Sequence, residues 1–204
     1  MTMVAPTSLH FHGPFTFVDH GRGIASCEFA HSEGVYLWVL TDGTSRYVHY
    51  VGQTPDFLSR HKVHLIHNLA LNYGLFRVDA VAANDHESIF GGMWRLWKTN
   101  PGDDPLTSTV TKWKELQQKI VPYLESIEVF FAPTTALSNP ERCHVEGCIA
   151  QSLRSKHPNE ARFYPSDNLT GRSLDKATGK TKFWGITPVT SDHPIMGLDP
   201  FLEL

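Results

Sequence analysis

Tyr36, Tyr50, Arg60 and His64 all fall within the stretch GVYLWVLTDGTSRYVHYVGQTPDFLSRHKVHL, residues 34–65. Tyr36 follows Gly34 and Val35 at the head of one apolar run, and Tyr50 precedes Val51 and Gly52 at the close of the next. Arg60 and His64 come next, four residues apart, so on a helix they are surface neighbours. A guanidinium is a planar, permanently charged fork suited to anionic oxygens. An imidazole titrates near neutrality and serves as an acid or base. A phenol near pKa 10 is a poor base at neutral pH, yet its hydroxyl can orient a water or pass a proton. Packing alone does not ask for these side chains in this order.

The elements that must position them are legible from patterning. The runs GVYLWVL and RYVHYVG are β-branched and aromatic, and Thr41-Asp42-Gly43-Thr44-Ser45 joins them. Asp-Gly between two such runs predicts a hairpin with Tyr36 on its first strand and Tyr50 near the end of its second. Thr54 is a candidate N-cap and Pro55 a candidate first helical residue. The helix that follows puts Phe57, Leu58, Leu65, Ile66 and Leu69 near one face, with Gly74 as its stop. Upstream, PFTFV and ASCEF are short strand candidates; downstream, LFRVDA is strand-like. The stretch STVTKWKELQQKIVPYLES reads as a helix bent or ended near Pro122, IEVFFA as an apolar strand, and Asn139-Pro140-Glu141 as the opening of another helix. From His157 onward the chain is rich in Pro, Gly and polar residues and is expected to wrap the surface.

Composition sets the frame. The 204 residues suit a single domain, and the net charge of −3 gives no global positive field for a polyanion. The stretch Arg154–Lys182 is locally basic, with seven Lys/Arg against three Asp/Glu, and is a candidate phosphate-contacting surface. No apolar run approaches a membrane span, and the N-terminus lacks the pattern of a secretory signal. Three cysteines without framework spacing point to a reducing, cytoplasmic compartment.

With these elements in place, the block resembles the GIY-YIG nuclease superfamily. Gly34-Val35-Tyr36 stands for the first half of that name and Tyr50-Val51-Gly52 for the second. The family expects an arginine on the first helix about ten residues after the second tyrosine, where Arg60 lies. Some restriction-enzyme members carry a histidine one turn later, where His64 lies. A helix after the third strand carries a metal-binding glutamate, and Glu146 follows IEVFFA in that order. Gln53 sits where the excision-repair members have a lysine; with Asn168 it is an expected nucleic-acid contact, and Asn159 is the other candidate for the asparagine. The resemblance implies an α/β (α+β) domain with a small, mostly antiparallel sheet flanked by helices. Its core would span about residues 34–65 and 127–168. Residues 73–126 would be an insertion between the first helix and the third strand, and residues 169–204 a tail.

It further implies a divalent-metal-dependent endonuclease that hydrolyses phosphodiester bonds in nucleic acid, DNA ahead of RNA. Magnesium or manganese would be held by Glu146, since one carboxylate with water and phosphate oxygens completes a normal magnesium shell. Arg60 would take the non-bridging oxygens as charge develops, and Tyr36 or His64 would act as the base. The rival expectation is a catalytically inactive module of the same shape that binds nucleic acid. Cys143, His144 and Cys148 lack the second ligand pair of a structural zinc site. Trp94 and Trp97, three apart, could stack on bases but are more often core.

Overall fold

The computed structural model describes residues 8–17, 21–41, 45–77, 88–93, 105–156 and 185–204. The expected hairpin is formed by β2 (Gly34–Thr41) and β3 (Arg46–Thr54), with Tyr36 opposite Gly52 and Trp38 opposite Tyr50. The register then slips, so that Val39 faces Val48 and His49 is an extra residue on β3. A bulge of this kind puts two successive side chains on one side of the strand. His49 therefore packs against Phe76 and Tyr123, while Tyr50 packs against Tyr36 and Trp38.

Four more strands extend the hairpin: β1 (Leu9–Thr16), β6 (Ile127–Pro133), β7 (Ile186–Ser191) and β8 (Phe201–Glu203), in the order β3-β2-β6-β1-β7-β8. A separate two-stranded ribbon joins β4 (Leu75–Phe76) to β5 (Ser88–Phe90). The expectation of a small, mostly antiparallel sheet needs correction. The sheet has six strands and is mixed, because β1 and β7 run parallel. The α+β class stands. The sheet curls far enough for Met196, between β7 and β8, to bridge to Tyr47 on β3.

The central position of β2 explains its sequence. A strand covered on both faces reads as a continuous apolar run, and Gly34 through Leu40 are all buried. Alternate residues go to opposite faces. Val35, Leu37 and Val39 join Phe130 and Ala132 under α3 (Asn139–Lys156), which supplies Val145, Ile149 and Leu153. Tyr36, Trp38 and Leu40 join Val129 and Phe131 on the other face. There they meet α1 (Phe57–Leu69) and α2 (Pro105–Glu125).

Several local expectations change. The ASCEF stretch forms no strand: Ile24–Ser26 is a single 3₁₀ turn. Helix α1 begins two residues later than expected, because Asp56 accepts the Ser59 N–H at 2.7 Å as N-cap. Thr54 instead accepts the Asp56 N–H through its hydroxyl. The helix stops well before Gly74, with Leu71 in the left-handed region at φ 56°. Helix α2 passes through Pro122 and ends at Glu125, close to the expected stop. Residues 105–125, expected within an insertion, contribute Leu116, Ile120, Tyr123 and Leu124 to the core. Residues 186–203, expected as a surface wrap, supply β7 and β8 to the main sheet. Among the described residues, no helix is long and apolar enough to cross a membrane.

The largest reversal concerns α1. Its buried side chains are Phe57, His61, His64 and Asn68, while Ile66 is 64% exposed and Leu69 47% exposed. The helix turns its polar face inward. Burying polar groups is costly unless they find partners; those of His61 and His64 lie on β2, while Asn68 donates to the His64 carbonyl within the helix.

Candidate active site

Tyr36 is fully buried, and its hydroxyl meets Nε2 of His64 at 2.7 Å. Arg60 donates from Nε to the same hydroxyl oxygen at 3.3 Å. Beyond His64, Nδ1 meets the hydroxyl of Tyr73 at 3.1 Å. The result is a line of four groups: Arg60, Tyr36, His64 and Tyr73. The ring of Tyr50 lies beside it, with centroids 5.9 Å from Tyr36 and 5.7 Å from His64. Its phenol interacts with Arg60 and Tyr36.

Both glycines of the tyrosine signatures have geometric reasons. A Cβ at Gly52 would run into Cζ and Oη of Tyr36, which crosses under β3 at that point, and would sit 2.8 Å from Cε1 of Tyr50. Glycine is therefore what lets the Tyr36 hydroxyl reach His64. A Cβ at Gly34 would collide with the carbonyl oxygen of Ala132 and the ring of Phe131 on the neighbouring strand.

Burial dominates the protonation states. It pushes His64 down to about 2, with the nearby charge of Arg60 adding to the effect. His64 is thus a neutral imidazole with one N–H. With the proton on Nδ1, it accepts the Tyr36 hydroxyl and donates to Tyr73; with the proton on Nε2, both bonds reverse. Burial also raises the Tyr36 phenol well above its ordinary value. For Arg60, burial opposes the charge, but Tyr36 and then Tyr50 offset it and hold the guanidinium above its usual value.

His61 serves a different purpose. Its Nε2 accepts from the Trp38 indole at 3.1 Å, and Nδ1 lies 2.8 Å from the Phe57 carbonyl. An indole only donates and a carbonyl only accepts, so His61 must carry its proton on Nδ1. Burial lowers it to about 4. Its ring then packs edge-on against Tyr36 at 4.7 Å and holds that phenol in place.

A pH dependence follows. The unfolded histidines titrate near 6.5, whereas His61 and His64 are held lower in the fold. Below that pH the unfolded chain binds more protons than the folded one, so stability falls as pH drops from about 6.5 through 4. Each histidine contributes up to about 1.4 kcal/mol per pH unit while only the unfolded form titrates. Urea unfolding at pH 7 and pH 5 should show the folded state weakened at the lower pH. His64→Gln should lessen that dependence. Equal midpoints at both pH values would show that these rings are not buried neutral.

Glu146 lies on α3, across the sheet from α1. Strand β3 ends the sheet's strand order, and Met196 pairs with its edge at Arg46 and Tyr47. The burial of Tyr50 raises its phenol, and the negative charge of Glu146 is the next largest cause, so this carboxylate is within electrostatic reach of the cluster. Gln53 lies opposite Val35, on the α3 side of β3, and its buried Oε1 has no hydrogen-bond partner. Carboxylate and amide oxygens are the donor types a hard divalent cation takes. Cys148 Sγ and His144 Nε2 lie 3.5 Å apart, and Cys143 is partly buried. Asn159, Asn168, Trp94 and Trp97 lie outside the described residues, as does most of the basic stretch 154–182.

The structure brings together Tyr36, Tyr50, Arg60 and His64, with Glu146 linked to them through its field at Tyr50. The sequence reading passed over Tyr73, nine residues after His64, and Trp38, the other polar anchor on β2. The signal for the inward polar face was His61, His64 and Asn68 recurring at helical spacing after Phe57. In comparisons with known proteins, no family model, no curated protein and no solved structure matches the chain.

Proposed function

We propose that this protein is a metal-dependent nuclease of the GIY-YIG type, hydrolysing phosphodiester bonds in nucleic acid, DNA ahead of RNA. The observation that carries the reading is the hydrogen-bonded line Arg60–Tyr36–His64–Tyr73, buried at Tyr36 and His64, whose hydroxyls and imidazole form a path for a proton. A structural core has little use for a guanidinium and a neutral imidazole sharing one phenol.

The chemistry divides among these residues. Arg60 is held by Tyr36 through Nε and also interacts with the Tyr50 phenol, and its remaining N–H groups would serve the phosphoryl oxygens. That anchoring fixes the fork before substrate arrives, which is how preorganised charge favours the transition state. The Tyr36 oxygen takes the proton of the attacking water as its own proton passes to His64 Nε2. An imidazolium is strongly disfavoured there, so the arriving proton must be matched by loss of the Nδ1 proton to the Tyr73 oxygen, whose own hydroxyl proton leaves to solvent. His64 is then a relay rather than a stored base, and the partly buried Tyr73 completes the path. Glu146 and Gln53 would hold magnesium or manganese, which when bound supplies charge stabilisation and a polarised water.

The test is incubation of purified protein with duplex, branched and single-stranded DNA and RNA, with and without magnesium. Cleavage is expected only with the metal. Tyr73→Phe, which keeps the ring and removes the relay oxygen, should lower kcat by about 10²-fold and leave KM nearly unchanged. Tight binding with no metal-dependent cleavage would make the protein a binding module instead. Full activity in Tyr73→Phe would remove the relay.

A further inference from the structure

On the other side of β6, strand β1 and the end of β7 assemble a second cluster that the nuclease reading does not use. His10 and His12 are two apart on β1 and therefore point to the same face. Asp192 directly follows β7, the parallel neighbour of β1. His10 Nε2 lies 2.8 Å from Oδ1 of Asp192, and His12 Nδ1 lies 3.9 Å from Oδ2. One ligand atom from each residue falls within 4.8 Å of the others. We propose that His10, His12 and Asp192 form a binding site for a divalent transition metal of the zinc class, joining the N-terminal strand to the C-terminal part of the sheet.

Three observations distinguish this cluster from a chance ion pair. First, each ligand is oriented by a separate neighbour. His10 Nδ1 is held by the Thr190 hydroxyl at 2.8 Å, leaving Nε2 to face the carboxylate. His12 stacks on Phe29 with ring centroids 4.5 Å apart. The Gly13 N–H donates to Oδ2 of Asp192 at 3.0 Å. Such outer contacts set the tautomer and direction of metal ligands. Second, the 3.9 Å gap at His12 is too long for a hydrogen bond. It suits two ligands on either side of a cation, whose bonds of about 2.0–2.2 Å leave ligand atoms about 3.3 Å apart. Third, the backbone is tied at the same place, because the Asp192 N–H donates to the Phe11 carbonyl at 3.1 Å. Metal entry would open the 2.8 Å His10–Asp192 contact to the ligand spacing and close the 3.9 Å gap at His12.

The donor set selects the metal. Two imidazoles and one carboxylate suit zinc, iron(II), cobalt or nickel, whereas magnesium and calcium prefer oxygen alone. Three protein ligands leave at least one position open to water. The site does not depend on the nuclease reading and stands or falls separately from it.

The test uses tag-free, full-length protein stripped with chelator and titrated with zinc by calorimetry. One equivalent is expected to bind. Asp192→Asn and His12→Gln should each weaken it by at least about tenfold, and Thr190→Val, which touches no metal, by about 10–100-fold. All three residues are near the surface, and circular dichroism checks that each variant is folded. In the wild type, the ring C–H resonances of His10 and His12 should shift on zinc addition while those of His61 and His64 stay fixed. The thiols are tested in Cys143→Ser/Cys148→Ser, which should keep the equivalent. No saturable equivalent, or binding abolished by the cysteine changes but untouched by Asp192→Asn, would overturn the assignment.

Discussion

Arg60→Ala should reduce cleavage by about 10²–10³-fold, the usual cost of losing one preorganised charge donor in a transition state. Nucleic-acid affinity should change far less, because phosphate oxygens gain charge mainly as the bond breaks. The structure sharpens this expectation in two ways. Arg60 is anchored to Tyr36 through Nε, so the fork is positioned without substrate. It also lowers both phenols, opposing the burial that raises Tyr36 and Tyr50. Removing it should therefore push both tyrosines higher in an ultraviolet titration, independently of any activity. Arg60→Lys should restore little, since an ammonium cannot hold Tyr36 and present a planar fork together. Full rescue by lysine would show that a point charge suffices. An unchanged tyrosine titration in Arg60→Ala would show that the guanidinium is not coupled to the phenols.

What could be read from the sequence, and what could not, follows from the range of the interactions involved. The hairpin was legible because turn chemistry and β-branched runs are local. The strand 127–133 and the helix from Asn139 were legible for the same reason. The inward face of α1 was not, because hydrophobic periodicity scores His61 and His64 as surface residues. They are buried because Trp38 and Tyr36, more than twenty positions earlier, supply their hydrogen bonds. Strands β7 and β8 were missed for a stronger version of that reason. They lie in a polar, proline-containing segment, and β7 is defined by a partner at the opposite end of the chain, as in the His10–Thr190 contact. The two glycines illustrate the middle ground. Their place in the motif was visible, but the reason was not, because it is a neighbouring side chain occupying the space of a Cβ. The spacing of Arg60 and His64 pairs them on one helix, yet the fourth member of their line, Tyr73, lies beyond the helix end, at the start of the segment expected as an insertion.

Glu146→Gln carries the largest expected effect and separates cutting from binding. The substitution preserves shape and removes the charge that would hold a hard cation. A metal ion contributes several kcal/mol to such a transition state, so cleavage should fall by about 10³-fold or more. Raising magnesium should recover part of the loss if Gln53 continues to contribute its oxygen, and Gln53→Ala in the same background should abolish that recovery. Nucleic-acid binding should hold or tighten, because a negative charge facing the phosphates has gone. A separate readout needs no substrate. Glu146 is the leading charge that raises the Tyr50 phenol, so in Glu146→Gln that tyrosine should titrate lower than in the wild type. Loss of cleavage together with a lowered Tyr50 places the carboxylate beside the phenols and assigns it to the metal. A lowered Tyr50 with unchanged cleavage keeps the geometry and removes Glu146 from the chemistry. If neither moves, the carboxylate is remote from the site, and the nuclease mechanism loses its metal ligand.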